Sequence, residues 1–282
     1  MTLAYDVGVY DGADTAHYLK LGYRVVGIEA SPDLCKQLQQ LFAKDIASGQ
    51  YVLLNLAIGE RDGEILPFYL SENPQWNSFD YAEATREGKT ATQISIPTRT
   101  TASIFREYGV PDLLKVDIEG YDHLAVHGMG DASPKYISFE AHRKHCDAVL
   151  LDLSSRGYTQ FSLVQQQVMR PVVIPPAGSL AHVQWSARQW FRWQLRNRPW
   201  IHSTLKGARS TLRWGALRRA HRKDPSSIPM LKPTLMPTEH ADGWYSAGEF
   251  MWLWRNVIAS GMIDSSWYDV HAVRTPLNGD ER

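Results

Sequence analysis

The sequence is short of several features, and each shortage excludes a class of protein. Cysteine is scarce: only Cys35 and Cys146 occur in 282 residues. Their spacing fits neither a disulfide framework nor a metal site, so both read as reduced packing residues. No apolar run reaches the roughly 18 residues that a membrane-spanning helix needs. Basic and acidic residues balance at 30 each. A chain without net charge has no overall field to steer it to an anionic partner. The N-terminus lacks a basic-then-apolar leader, which makes the cytoplasm the expected compartment. The G-x-G-x-x-G fingerprint is also missing, which argues against a dinucleotide site.

What is present is organised around Leu3-Ala-Tyr-Asp-Val-Gly-Val-Tyr-Asp-Gly-Ala-Asp-Thr15. An apolar strand ends at Asp6, a glycine turn follows, and a helix starts near Ala13. Asp6, Gly8 and Gly12 give the spacing D-x-G-x-x-x-G. Gly8 would let a ligand approach the backbone closely. The helix would offer free N–H groups beside Gly12. A second strand, Tyr23 to Ile28, ends in Glu29-Ala-Ser-Pro32. An acid at the tip of strand two is placed to hold ribose hydroxyls. This is the pattern of a nucleoside-binding βαβ unit. Asp6 and Asp11 would repel phosphate and favour a cationic ligand, which points to S-adenosylmethionine. The expected cofactor contacts from the first turn are Asp6, Gly8, Asp11, Gly12 and Thr15. Later segments add Glu29, Ala30, Ser31, Ala57 and Asp117.

The spacing predicts a helix from Pro32 to about Ala47 and a buried strand from Tyr51 to Ile58. Ala57 would then lie near the adenine. Strands over Glu64 to Leu70 and Gln93 to Thr98 are expected to pair as an extra hairpin. Pro97 would make the second of them an edge or terminal strand. The polar stretch between them would overhang the cofactor. Strands are then predicted over Leu113 to Gly120, Lys135 to His142 and Tyr158 to Val164, with helices between. Trp267 to Val273 reads as a last strand. Such alternation implies a mostly parallel sheet with helices on both faces. Ligands bind such sheets at the carboxyl ends of the strands.

Asp117 and Glu119 lie two apart on a predicted strand, so they would share a face. Glu140 and His142 repeat the arrangement on the next strand. Methyl transfer to a hydroxyl needs in-line approach and a recipient for the proton. His142 is the first choice of base, since imidazole titrates near neutrality. Asp117 or Glu119 would orient it or hold a methionine amino group. The same three residues would also suit a divalent metal such as magnesium.

Regularity stops after Val164. The sequence divides into a core over 1–166, an insertion over 167–262 and a last strand with tail over 263–282. Residues 185–223 hold eleven Lys/Arg, five Trp and no acid. This basic stretch fits an anionic membrane surface, an anionic or sugar-bearing acceptor, or nucleic acid. The first two rank above nucleic acid because no RNA-binding motif accompanies it. The plain alternative is a solvated helical lid or an oligomer contact.

Three segments together carry a family resemblance: Asp6 to Thr15, Val26-Gly-Ile-Glu-Ala-Ser-Pro32 and Leu114-Lys-Val-Asp-Ile-Glu-Gly120. Ile137-Ser-Phe-Glu140 fits as well. The chain resembles the FkbM family of S-adenosylmethionine-dependent methyltransferases over roughly Leu3 to Val164 and Tyr268 to Val273. The resemblance implies the class I methyltransferase fold, a Rossmann-like seven-stranded sheet whose last strand is antiparallel. It also implies O-methylation, often of hydroxyls on sugars or polyketide-like natural products, with Asp6, Gly8, Gly12 and Glu29 on the cofactor; the acceptor expected here is a glycan, glycolipid or related metabolite. Two rivals remain. One is a nucleotide-dependent enzyme of another reaction type on a similar sheet. The other is a non-catalytic protein that binds a membrane or anionic partner through the basic insertion.

Overall fold

The computed structural model describes residues 2–166, 169–175, 179–180, 183–187, 236–258 and 267–274. The basic stretch over 185–223 lies outside these residues from residue 188 onward.

The core opens with β1 (Leu3–Val7), α1 (Ala13–Lys20) and β2 (Arg24–Glu29). Next come α2 (Pro32–Leu41), α3 (Ala43–Ala47), β3 (Tyr51–Asn55) and β4 (Ala57–Ile58). β5 (Ile65–Ser71), the short helix α4 (Tyr81–Ala84) and β6 (Ala91–Arg99) follow. The remaining core elements are α5 (Thr101–Tyr108), β7 (Leu113–Val116), α6 (Asp122–His127), β8 (Tyr136–Glu140), α7 (Cys146–Ser155) and β9 (Tyr158–Gln165). Beyond them lie β10 (Arg170–Pro171), β11 (Trp244–Ser246), α8 (Ala247–Leu253) and β12 (Tyr268–Arg274).

The main sheet runs β10-β9-β12-β8-β7-β1-β2-β3, with β11 also paired to β9. β1 is parallel to β2 and β7, and β7 is parallel to β8. β12 enters antiparallel between β8 and β9. Strands covered on both faces can be apolar throughout, and all four residues of β7 are buried. The seven-stranded α/β sheet that the family resemblance implies is present, widened to nine strands by β10 and β11. Because β1 has β2 on one side and β7 on the other, chain order reverses there. A crevice therefore opens at the carboxyl ends of β1 and β7.

Several boundaries differ from expectation, each for a local reason. The helix after Pro32 breaks at Phe42, whose φ of −106° and ψ of 25° leave the helical region. Its ring packs edge-on against Tyr51 at 5.2 Å. The Tyr51 to Ile58 strand splits at Leu56, since β4 leaves the main sheet and pairs parallel with β6. The extra hairpin forms as β5 against β6. β6, however, is the middle strand of that small sheet. Pro97 is tolerated because β4 pairs only with Thr98 and Arg99. β7 stops at Val116 and β8 at Glu140. Glu119 and Gly120 take φ values of 51° and 90°. Asp117 and Glu119 therefore share no strand face, and neither do Glu140 and His142.

Cys35 and Cys146 are free and buried. His271 is fully buried in β12, with Nδ1 2.9 Å from His240 Nε2. Among the described residues, no helix is long and apolar enough to cross a membrane.

Candidate active site

A cavity of about 690 Å³ occupies the crevice. The first βα turn supplies Gly8, Tyr10, Asp11 and Asp14 to its wall. Gly8 has a φ of 84°, and a Cβ there would lie 1.9 Å from the Asp117 carbonyl oxygen. The neighbouring strand end by itself thus demands a glycine here. Gly12 has a similar cause, since its Cβ would meet the Phe42 ring at 2.6 Å. One of the N–H groups beside Gly12 is already used: Ala13 N–H donates to Asp11 Oδ1 at 3.0 Å.

Glu29, at the tip of β2, faces the cavity with its carboxylate fixed from two sides. Tyr10 N–H donates to Oε2 at 3.0 Å and Ser31 N–H donates to Oε1 at 2.8 Å. Tyr10 adopts a left-handed φ of 52° in this turn. Burial holds the Glu29 carboxyl above its usual range, against the pull of those two N–H groups. Beside it lies an apolar slot of Ala30, Leu34, Leu56, Ala57 and Ile58. Asn55 ties this slot together by donating to the carbonyls of Glu29 and Ala30 at 2.9 and 3.1 Å.

Lys115, to which the sequence reading gave no role, anchors the floor. Its ammonium lies 3.2 Å from Asp6, 3.3 Å from Asp14 and 3.8 Å from Asp117. It also donates to the Gly8 carbonyl at 3.3 Å. Burial works against this charge, but the three carboxylates outweigh it and hold the ammonium well above its usual range. Burial in turn pushes Asp6 up to about 6 despite Lys115. The signal was a single basic residue inside the apolar run Leu113 to Val116, flanked by acids.

The stretch between β5 and β6 forms the outer wall of the cavity. Trp76, Phe79 and Arg86 line the cavity from it. Arg86 stacks over Trp76 at 4.5 Å and pairs with Glu119 at 3.1 Å. Burial raises Glu119 to about 8 against this guanidinium.

Of the expected cofactor contacts, Gly8, Asp11, Glu29, Ala30, Ala57 and Asp117 line the cavity. Asp6, Gly12, Thr15 and Ser31 stand behind it. Thr15 Oγ1 donates to Asp6 Oδ2 at 2.7 Å, and Ser31 braces Glu29.

A family model described as the methyltransferase FkbM domain matches residues 6–159, more than half of the chain. The chain belongs to the FkbM methyltransferase family. No curated protein matches it. Among solved structures, precorrin-6y C5,15-methyltransferase from Geobacter metallireducens is similar at 13% identity, with 63% of this chain and 70% of that chain covered and a TM-score of 0.33. A SAM-dependent methyltransferase from Thiobacillus denitrificans, in complex with S-adenosyl-L-homocysteine, shows 8% identity. It covers 97% of this chain and 85% of its own, with a TM-score of 0.34. A counterpart from Geobacter sulfurreducens, also with S-adenosyl-L-homocysteine, shows 11% identity, 98% and 85% coverage and the same TM-score of 0.34.

In this FkbM methyltransferase the residues expected at the reacting end do not all converge. Asp117, Glu119 and Glu140 line the cavity. His142 does not. It sits in a small neighbouring hollow with Asp122, His123 and His145, whose wall Glu140 also joins. Its ring packs 3.4 Å from where a Cβ on Gly120 would stand. The strand that was to carry it inward ends two residues earlier. The expected metal set falls with this geometry. Asp117 is committed to Lys115 and Glu119 to Arg86. Among the described residues, no group of three or more His, Cys, Asp or Glu is arranged to hold a metal ion.

Proposed function

We propose that this FkbM methyltransferase uses S-adenosylmethionine to methylate a hydroxyl of a sugar, glycolipid or related natural product. The observation that carries the cofactor reading is Glu29. Its carboxylate is fixed by two backbone N–H groups at the tip of β2, beside an apolar slot. A ribose diol donates to such a carboxylate, and the slot of Ala30, Leu34, Leu56, Ala57 and Ile58 suits a flat adenine ring. The chemistry of the donor set fits the rest of the cofactor. Among the described residues, Asp11, Asp14, Asp117 and Glu119 line the same cavity and outnumber the cations there, Lys115 and Arg86. An excess of carboxylate attracts an ammonium and a sulfonium and repels phosphate.

When bound, this cofactor supplies an electrophilic methyl group on sulfur. The residues of this chain would do the rest. Glu29 orients the nucleoside, and Lys115 keeps the first turn and the end of β7 in register. Trp76, Phe79 and Trp267 give the cavity aromatic faces, which suit the apolar face of a sugar ring. Isothermal titration with S-adenosylhomocysteine tests the cofactor. Micromolar binding that Glu29→Ala weakens supports it, and no binding removes its basis. Assay of methyl hexosides as acceptors then tests the hydroxyl reading against N- and C-methylation.

A further inference from the structure

With His142 outside the cavity, an acceptor hydroxyl needs another recipient for its proton. Among the described residues, six carboxylates line the cavity: Asp11, Asp14, Glu29, Asp117, Glu119 and Glu140. Five are committed. Asp11 accepts from Ala13 N–H, and Asp14 and Asp117 face Lys115. Glu29 accepts two N–H groups, and Glu119 pairs with Arg86. A carboxylate that faces a cation or accepts N–H bonds loses proton affinity. The Glu140 carboxylate makes no hydrogen bond or ion pair among the described residues; its backbone N–H donates to Asp122 Oδ1 at 3.2 Å and its backbone carbonyl accepts from His142 N–H at 2.9 Å.

We propose that Glu140 is the catalytic base that takes the acceptor's hydroxyl proton, with Asp122 and Asp269 packed behind it as positioning residues. This rests on the O-methyltransferase reading above. Glu140 ends β8, and Asp269 is its direct partner across the β8–β12 pairing. Gln166, itself in the cavity wall, holds Asp269 by donating to Oδ1 at 2.7 Å. The second oxygens of Asp122 and Asp269 are buried with no hydrogen-bond partner among the described residues. The charges that act most strongly on Glu140 are acids: Asp117 and Glu119 beyond β7, Asp122 at the start of α6, and Asp269 on β12; His123, His142 and His145 share a small hollow with it on its other side. Burial and these neighbours hold Glu140 well above its usual range, with Asp122 and Asp269 each raised to about 8. Once ionised, such a carboxylate is a stronger base than an ordinary one.

The step balances. The acceptor oxygen bonds to the methyl carbon as the carbon–sulfur bond breaks, and that bonding pair goes to sulfur. The hydroxyl proton passes to a Glu140 oxygen. One positive charge on sulfur and one negative charge on Glu140 disappear together. Glu140 then releases the proton to solvent through the open cavity.

The test compares the full-length wild type with E140Q. Titration with S-adenosylhomocysteine should give affinities equal within about twofold, because Glu140 does not hold the cofactor. Infrared difference spectra, wild type minus E140Q, should show a protonated carboxyl that persists above the usual carboxylate range. That band should move to lower pH in D269N, a shift that lost packing alone would not produce. With methyl hexosides as acceptors, kcat should fall roughly 10²–10⁴-fold in E140Q with KM for the cofactor kept. E140D should recover part of the loss. A roughly tenfold weaker S-adenosylhomocysteine affinity in E140Q would make Glu140 a cofactor ligand and overturn the proposal. An ordinary carboxylate titration, or a kcat within about tenfold of wild type, would also overturn it. If neither protein binds S-adenosylhomocysteine, the cofactor reading fails instead, and the infrared titration still decides Glu140.

Discussion

Lys115 Nζ lies 3.2 Å from Asp6 Oδ1, and both side chains are buried. The pair joins the ends of two adjacent parallel strands, β1 and β7, below the cavity. The same ammonium reaches Asp14 and the Gly8 carbonyl, so one side chain fixes the whole first turn. Removing it would leave three carboxylates facing one another without a cation.

Lys115→Met should therefore destabilise the fold by about 3–5 kcal/mol, the cost of breaking a buried ion pair from one side. Lys115→Arg should lose less, since the charge remains. Urea denaturation measures both. A loss below about 1 kcal/mol for Lys115→Met would mean that the pair is not a structural anchor.

Glu29→Ala removes an acceptor whose position is set by Tyr10 and Ser31. Hydrogen bonds to a charged group contribute about 1.5–3 kcal/mol, so affinity for S-adenosylhomocysteine should fall roughly tenfold to a hundredfold. Far-ultraviolet circular dichroism should stay unchanged. Wild-type affinity in this variant would sink the ribose assignment.

Gly8→Ala and Gly22→Ala form a matched pair. Both glycines have left-handed φ values, 84° and 87°. Only Gly8 is crowded, with Asp117 O 1.9 Å from an added Cβ; nothing lies within 4 Å at Gly22. Gly22→Ala should cost only the conformational penalty of about 1–2 kcal/mol. Gly8→Ala should cost clearly more and also weaken S-adenosylhomocysteine binding, because the turn must move. Equal melting temperatures for the two variants would contradict the close strand contact.

Stability should fall between pH 6.5 and pH 8. Burial raises Asp122 and Asp269 to about 8, and Glu119 to about 8, from ordinary values of 3.8 and 4.5. In this window the unfolded chain has lost protons that the folded chain keeps, so rising pH favours unfolding. His123 and His271, lowered by burial to about 4 and 3, act in the opposite sense, but only below their ordinary 6.5. Each carboxyl contributes at most about 1.4 kcal/mol per pH unit. Urea midpoints at the two ends of the window measure the difference. A midpoint that is unchanged or higher at pH 8 would mean these carboxyls are ionised in the folded protein.

The sequence by itself determined the sheet, because apolar strands separated by helices of the right length can bury their faces in few other ways. It also placed Glu29 at a strand tip, since one acid directly after a buried run marks where the run meets solvent. The wall built by Trp76 and Phe79 was legible as an overhanging polar stretch between two pairable strands. Only the tertiary structure decided which acids are free. Lys115 and Arg86 come from segments distant from Asp6 and Glu119, and no local pattern predicts such partners. Only the structure, too, removed His142 from the cavity. A period of two says which residues share a face while a strand lasts. It does not say that packing ends β7 at Val116 and β8 at Glu140, and a strand two residues shorter turns the last side chain elsewhere.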